Sequence, residues 1–316
     1  MRHLLSIADL SREDIERIML VAESFSEVAD RDIKKVPTLR GRTIGNLFYE
    51  SSTRTSSSFE LAAKRLSADL VTVNSAGSSV DKGESLKDTV ATLSAYDPAA
   101  IVIRSPWAGA AALVAGWSSA AVVNAGDGKH EHPSQALLDV FTIRRRLGSL
   151  DDLNIWIVGD VMHSRVARSN VLAFTRMGAK VTVCGPPTLI PRDAHTLGCE
   201  VAYDLDRLRE ADVVYALRMQ RERMTDALVP SLREYVARYQ IDGRRLEPRQ
   251  LLMHPGPVNR GVELASEVID SPQALITQQV AAGLVVRMAI LFELLAGGGE
   301  SGAGAREQLP TVEQPA

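Results

Sequence analysis

Ile15, Ile18, Met19 and Ala22 recur at i, i+3, i+4 and i+7, which predicts an amphipathic helix at the start of the chain. Ser11 and Asp14 stand ahead of it at capping-box spacing. After Pro37 the rhythm changes. Short β-rich runs at 43–48, 70–74, 100–104 and 121–124 alternate with helical stretches, one of which puts Phe59, Ala62, Ala63 and Leu66 on one face. A helix predicted at 133–147 leads into a second series, with strands at 154–158, 180–184, 200–203, 212–217 and 250–253, and the last apolar periodicity predicts a helix over 277–295. Strands alternating with helices predict the α/β class with parallel sheets. Each series has the size of one open α/β domain, so the expectation is two open parallel-sheet αβα domains, residues 1–135 and 136–276, with an active site in the cleft between them.

Composition narrows this picture in a few places. A chain of 316 residues exceeds what one core usually organises, and 45% hydrophobic with 24% charged residues is an ordinary globular balance. The net charge of −3 argues against a general nucleic-acid binder, yet it leaves room for a small anion held by a few arginines. Cys184 and Cys199 are the only cysteines, too few for a disulfide scaffold or a zinc site, and they suit a reducing cytoplasm. The first residues reach Asp9 before a long apolar run develops, so no signal peptide is expected. The most membrane-like stretch, 280–297, is interrupted by Arg287 and Glu293, and a charge at mid-membrane costs roughly 2.5–3.5 kcal/mol. A buried helix, and no membrane, is the expectation there. Residues 298–316, rich in Gly, Glu, Gln and Pro, read as a tail without fixed structure.

In open parallel sheets ligands gather beyond the carboxyl ends of the strands, so polar residues in the strand-to-helix loops carry the most meaning. Glu50-Ser51-Ser52-Thr53-Arg54-Thr55 follows the first strand and opens a helix. Free N–H groups at a helix start attract an anion, hydroxyls add donors, and Arg54 offers a fork for phosphate oxygens. A single hydroxyl would serve an ordinary N-cap; four around an arginine favour a phosphate cradle, although G-x-x-x-x-G-K-[ST] is absent. The loop from Ser78 to Ser85, with Lys82, is by itself only polar. Arg104 ends an apolar strand and needs either a structural carboxylate or a ligand. His132 precedes Pro133 at a helix start after Gly126-Asp127-Gly128, with Gln135 one turn in.

Three further loops lie in the second half. Gly159-Asp160 through Arg165 lacks G-x-G-x-x-G and places Asp160 where a pyrophosphate would approach, which argues against a dehydrogenase. Arg218-Met219-Gln220-Arg221-Glu222-Arg223 would alone be solvated surface, and His254-Pro255-Gly256-Pro257-Val258-Asn259-Arg260-Gly261 a rigid turn. Together the loops put Arg54, Lys82, Arg104, Arg165, Arg218 and Arg260 at one end of two sheets. That setting suits one or two strongly anionic small molecules. No metal site, nucleophile dyad or paired carboxylate is visible, so no metal or cofactor is expected.

S-T-R-T at 52–55, K-G-E at 82–84, the strand-end Arg104, H-P-x-Q at 132–135, G-D-x-x-x-S-R at 159–165, R-x-Q-x-E-R at 218–223 and H-P-G-P-x-N-R-G at 254–261 resemble, in order, the aspartate carbamoyltransferases. Ornithine enzymes carry S-M-G and H-C-L-P loops, which are absent here. One departure is Ser56, where many relatives have Arg. The resemblance implies that Ser52, Thr53, Arg54 and Thr55 bind the phosphate of carbamoyl phosphate, that Arg104, His132 and Gln135 hold its carbamoyl group, and that Arg165, Arg218 and Gln220 hold the carboxylates of L-aspartate. It places the Gly256-Pro257 region against the reacting amine. It also implies a homotrimer in which Ser78 and Lys82 reach a neighbouring site, a terminal helix at about 277–297 packing back on the carbamoyl phosphate domain, and regulatory chains or a dihydroorotase as candidate further partners.

Overall fold

The capping box closes as its spacing predicts: Ser11 Oγ accepts from the Asp14 amide, the Asp14 carboxylate accepts from the Ser11 amide, and helix α1 runs Arg12–Ala29. The computed structural model describes residues 1–50, 52–74, 83–220 and 228–297. Beyond α1 the first sheet is built from β1 (Thr43–Phe48), β2 (Asp69–Asn74), β3 (Ala100–Ser105) and β4 (Ala121–Asp127), all parallel, in the order β2-β1-β3-β4. Helices α2 (Thr53–Arg65), α3 (Leu86–Ser94) and α4 (Ala110–Trp117) lie in its crossovers.

Helix α5 (Pro133–Leu147) carries the chain to the second sheet. There β5 (Asn154–Val158), β6 (Lys180–Cys184), β7 (Glu200–Ala202), β8 (Val213–Ala216) and β9 (Leu251–Met253) are again parallel, in the order β7-β6-β5-β8-β9. Helices α6 (Arg165–Arg176), α7 (Leu232–Tyr239) and α8 (Ser266–Ile269) belong to this half, and α9 (Ile276–Leu295) ends the described chain.

Alternation along the strands explains the layers. Ala100 and Val102 of β3 with Val123 of β4, and Ile155 and Ile157 of β5 with Tyr215 of β8, face one large core shared by both sheets. Their neighbours in sequence, Ile101, Ile103 and Val122, face a core under α3 and α4. Trp156, Val158 and Val214 face a third, with Tyr235 and Tyr239 of α7. Helix α9 fills the shared core against α1, α2 and α5. By length and apolar content it could cross a membrane, but most of its residues are buried within the fold. Its two charges have local uses: Glu293 pairs with Arg17 of α1 at 2.8 Å, and Arg287 lies over the Phe59 ring of α2 at 5.1 Å.

Candidate active site

Both sheets reverse their strand order beside a central strand, and an open sheet parts its loops at such a point. In the first sheet the reversal lies between β1 and β3, where Ser52–Thr55 follow β1 at the start of α2 and Arg104 stands at the carboxyl end of β3. In the second it lies between β5 and β8, followed by Arg165 at the start of α6 and by Arg218 and Gln220. Topology alone therefore gathers most of the motif residues along one edge of each domain.

Ser52 caps α2, its hydroxyl accepting from the Thr55 amide at 3.4 Å. No acidic residue occupies the first turn of that helix, so the positive end of its dipole is left uncancelled. Thr53 and Arg54 are open to solvent, whereas Thr55 is buried. The Arg54 guanidinium reaches across to the second half. A Cβ built on Gly256 would lie 2.9 Å from its Cζ. Gly256 also has φ +60°, which favours glycine, whereas the guanidinium, as the end of a flexible side chain, could shift to admit a Cβ. Loss of water, followed by the nearby charge of Arg218, draws the Arg54 pKa below the usual guanidinium range. Two arginines from different sheets thus stand close enough to feel each other. Pro257, joined to Gly256 by a cis peptide bond, is exposed beside them.

Glu50 explains how two more arginines are held. Its Oε2 lies 2.5 Å from Arg165 Nη2 and 3.3 Å from Arg104 Nε. Arg104 also points Nη1 at Thr55 Oγ1 (3.5 Å) and at the Ala125 carbonyl (3.4 Å). The β3–β4 register shifts between Ile103 and Ser105, at the position of this arginine, as a bulge that re-aims a side chain would do. Arg165 is buried, donates to the Gly128 carbonyl at 3.2 Å, and sits so close to Gly126 that a Cβ there would meet Nε at 3.0 Å. Of the two readings open for Arg104, a structural carboxylate or a ligand, the carboxylate is present, and it is shared across the domains.

His132 caps α5 without a side-chain cap bond, and Pro133 follows at the first helical position. Its backbone N–H donates to Ser169 Oγ of α6 at 2.8 Å, and its Nδ1 is 3.5 Å from Ser134 Oγ. Burial first, then the charges of Arg104, Arg165 and Arg287, push its pKa well below the ordinary imidazole range, so the ring is neutral at pH 7. Gln135, also buried, donates from Nε2 to Asp139 at 3.1 Å. The Gln220 amide donates to Asp160 Oδ2 at 3.2 Å, while His163 Nδ1 lies 2.8 Å from Asp160 Oδ1.

The structure thus brings Ser52, Thr53, Arg54, Thr55, Arg104, His132, Gln135, Arg165, Arg218, Gln220, Gly256 and Pro257 to facing loop ends. Arg260 does not join them: it forks onto Asp270 at 2.9 and 3.1 Å in a solvent-exposed pair, because the turn after Pro257 carries it outward. Ser78, Lys82 and the charge run Arg221-Glu222-Arg223 lie outside the described residues. Sequence reasoning assigned no role to Glu50 or Asp139. A lone acid within a cationic loop was the available signal for Glu50, and an acid on the apolar face of α5 was the signal for Asp139. Among the described residues no cluster of His, Cys, Asp and Glu could hold a metal ion.

Two α/β domains whose loops oppose guanidiniums across a cleft define a class of enzyme that joins two anionic small molecules. The chain belongs to the aspartate/ornithine carbamoyltransferase family: the carbamoyl-P binding domain model matches residues 2–145 and the Asp/Orn binding domain model residues 151–294. It is 55% identical to the aspartate carbamoyltransferase catalytic subunit of Acidothermus cellulolyticus, over 99% of this chain and 98% of that one. The catalytic subunit of Salinispora arenicola is 56% identical, over 94% and 98%. Among solved structures, aspartate transcarbamoylase from Trypanosoma cruzi in complex with carbamoyl phosphate and aspartate superposes with a TM-score of 0.85 at 32% identity, covering 93% of this chain and 97% of that one. The M. jannaschii catalytic subunit gives 0.82 at 36% identity, covering 95% and 100%.

Proposed function

We propose that this chain transfers the carbamoyl group of carbamoyl phosphate to the amino group of L-aspartate, giving N-carbamoyl-L-aspartate and phosphate, an early step of de novo pyrimidine biosynthesis. The observation that carries the reading is the meeting of Arg54, with Gly256 and Arg218 beside it, and the Glu50-linked pair Arg104 and Arg165 at one cleft. Two anionic substrates repel each other, and cations from both domains offset that repulsion. Names carried by the relatives and by the ligand-bound Trypanosoma structure support the same assignment.

In this reading Ser52, Thr53, Arg54 and Thr55 hold the phosphate at the start of α2, and Arg104, His132 and Gln135 hold the carbamoyl group. Arg165, Arg218 and Gln220 receive the aspartate carboxylates, with the Gly256-Pro257 segment against the amine. The uncharged amine attacks the carbamoyl carbon, and negative charge builds on the carbonyl oxygen. Thr55, Arg104 and neutral His132 donate to it, and a donor so placed is worth on the order of 10²–10³ in turnover. The carbon–oxygen bond to phosphate then breaks, and the departing phosphate takes the amine proton. Holding both substrates in line removes association entropy worth roughly 7–11 kcal/mol in well-oriented systems. Closure of the domains follows from the division of ligands between them.

The working unit in this reading is a cytoplasmic homotrimer, with Ser78 and Lys82 supplied by a neighbour. Tyr96, Trp107, Leu113 and Trp117 are large apolar side chains left exposed around α3 and α4, 39–62% accessible, and they suit such a contact. Supplying carbamoyl phosphate with either L-aspartate or L-ornithine and measuring phosphate release tests the assignment. Release with aspartate alone is expected; release with ornithine instead overturns it, and so does tight carbamoyl phosphate binding without turnover.

A further inference from the structure

Asp139 of α5 is fully buried, and its carboxylate is surrounded by donors from four elements. Oδ1 accepts from Gln135 Nε2 at 3.1 Å and from Gln279 Nε2 of α9 at 2.7 Å. Oδ2 accepts from Tyr215 Oη of β8 at 2.7 Å and from Asn170 Nδ2 of α6 at 3.0 Å. An ionised carboxylate can only accept, so each neighbouring amide must turn its NH₂ inward. For Gln135 this leaves Oε1 without a hydrogen bond from the described residues and free to accept from a ligand in the cleft. For Gln279 it leaves Oε1 to accept from the His254 amide at 3.0 Å, and His254 Nδ1 in turn accepts from the Gly256 amide at 2.8 Å.

We infer that Asp139 is a positioning residue of the transfer reaction: it fixes the orientation of the Gln135 amide, so that an acceptor faces the carbamoyl NH₂, and through Gln279 and His254 it sets the Gly256 loop that abuts Arg54. The inference rests on the reading that Gln135 meets the carbamoyl group. One acid thereby ties the donor half of the site to the loop of the acceptor half. A purely structural acid would need no such agreement between two amides, since water or a backbone carbonyl could satisfy either one.

Burial raises the Asp139 pKa to about 6 even though all four donors oppose that rise. The other ionisable groups facing it are Tyr215, whose hydroxyl is held well above its ordinary range by burial and then by Asp139, and Arg287, drawn down to about 10 by burial yet still charged at neutral pH. Neither changes state between pH 5 and 8, and burial lowers the pKa of His254, further along the relay, from the ordinary imidazole range. Loss of an acid limb near 6 on substitution is therefore what assigns that limb to Asp139. Protonation there would set a donor against donors and release one of the amides.

Two substitutions test this. Asp139→Asn can turn its own NH₂ toward Tyr215, whose hydroxyl rotates to accept, and toward Asn170, whose amide must flip to present Oδ1 in place of the Nδ2 that now donates; that Oδ1 has no partner where it lies. Its Oδ1 then still holds both glutamines. At neutral pH kcat/KM for carbamoyl phosphate is expected within about threefold of wild type, with the acid limb near 6 removed. Asp139→Leu frees both amides, and kcat/KM for carbamoyl phosphate is expected to fall by about 100-fold, with a smaller rise in the KM for aspartate through the released Gly256 loop. A folded Leu variant within threefold of wild type overturns the inference. So does an Asn variant that keeps the wild-type acid limb, or one that loses about 100-fold, which would make charge and not amide orientation the operative feature. Should the Leu variant fail to fold, the Asn profile decides alone. A neutron structure of the unliganded protein separates this from the reaction itself: Gln135 Nε2 toward Asp139 supports the positioning and Oε1 toward it refutes it, even if wild type proved inert toward carbamoyl phosphate.

Discussion

His132 condenses the electrostatics of the cleft into one side chain. Its imidazole is buried beside three arginines, so the charged form is disfavoured, and in the proposed reaction the ring donates a hydrogen bond without carrying a full charge. His132→Ala is therefore expected to lower kcat by about 10²–10³ with a smaller change in the KM for aspartate, measured by steady-state kinetics. The same shift has a sign for stability. A base whose folded pKa lies below its unfolded value, ordinarily near 6.5, binds protons more readily in the unfolded chain. Its contribution is present above that value and is lost as pH falls through the window beneath it. Asp139 acts oppositely, because its folded pKa is raised to about 6: its contribution is present below the ordinary carboxylate value near 3.9 and fades as pH rises through 6. Such residues differ in how far sequence discloses them. Arg54 and His132 stand in recognisable motifs. Glu50 and Asp139 do not, since what makes them matter is two or four partners brought from distant segments, and spacing carries no trace of that.

Elements with a strong local signal were readable to within a residue or two. The strands at Thr43–Phe48, Asn154–Val158 and Lys180–Cys184 and the helix at Pro133–Leu147 agree with their sequence boundaries, because each joins an apolar run to a marked end. The short α8 and the 3-10 turns Pro187–Leu189, Ala194–Leu197 and Leu208–Glu210 had no such signal and form because tertiary packing on the second sheet holds them. Helix α7, by contrast, carried one that went unread, Ser231 accepting from the Glu234 amide at 3.1 Å ahead of Leu232, Tyr235, Val236 and Tyr239. Helix α3 could have been read more closely, as Ser85 caps it by accepting from the Asp88 amide at 3.2 Å, the same Ser-x-x-Asp spacing that marked α1. At α1 the box makes a measurable claim. Ser11→Ala removes the acceptor for the Asp14 amide and should cost about 1 kcal/mol, whereas Ser11→Gly should cost only a few tenths. Hydrogen exchange at Asp14 and Ile15 then quickens by roughly fivefold in the alanine variant if opening is local, and an unchanged rate would mean that packing of Ile15 and Ile18 alone fixes that end.

At the scale of the whole molecule the described residues bring Arg54, Arg104, Arg165 and Arg218 of one chain to the cleft, while Lys82 is expected from a neighbour. A closed ring of three identical subunits gives that expectation a definite count. Let Arg54→Ala and Lys82→Ala proteins, each inactive alone, exchange subunits. A complete site needs Arg54 from one subunit and Lys82 from the next around the ring. Whether a mixed trimer holds one or two of either kind, only a single junction runs in the right direction, so one site of three is intact. Random equal mixing makes three-quarters of the trimers mixed, and recovered activity should approach about one quarter of wild type. Sites built within single subunits would recover nothing, because each would keep its own lesion. Two independent lesions on the same side of the junction, Arg54→Ala with Arg104→Ala, supply the control: no mixture of these can assemble an intact site under either arrangement. Recovery near one quarter in the first mixture and none in the second fits a cleft completed by its neighbour, and silence in both after exchange is verified by mass would confine the site to one chain.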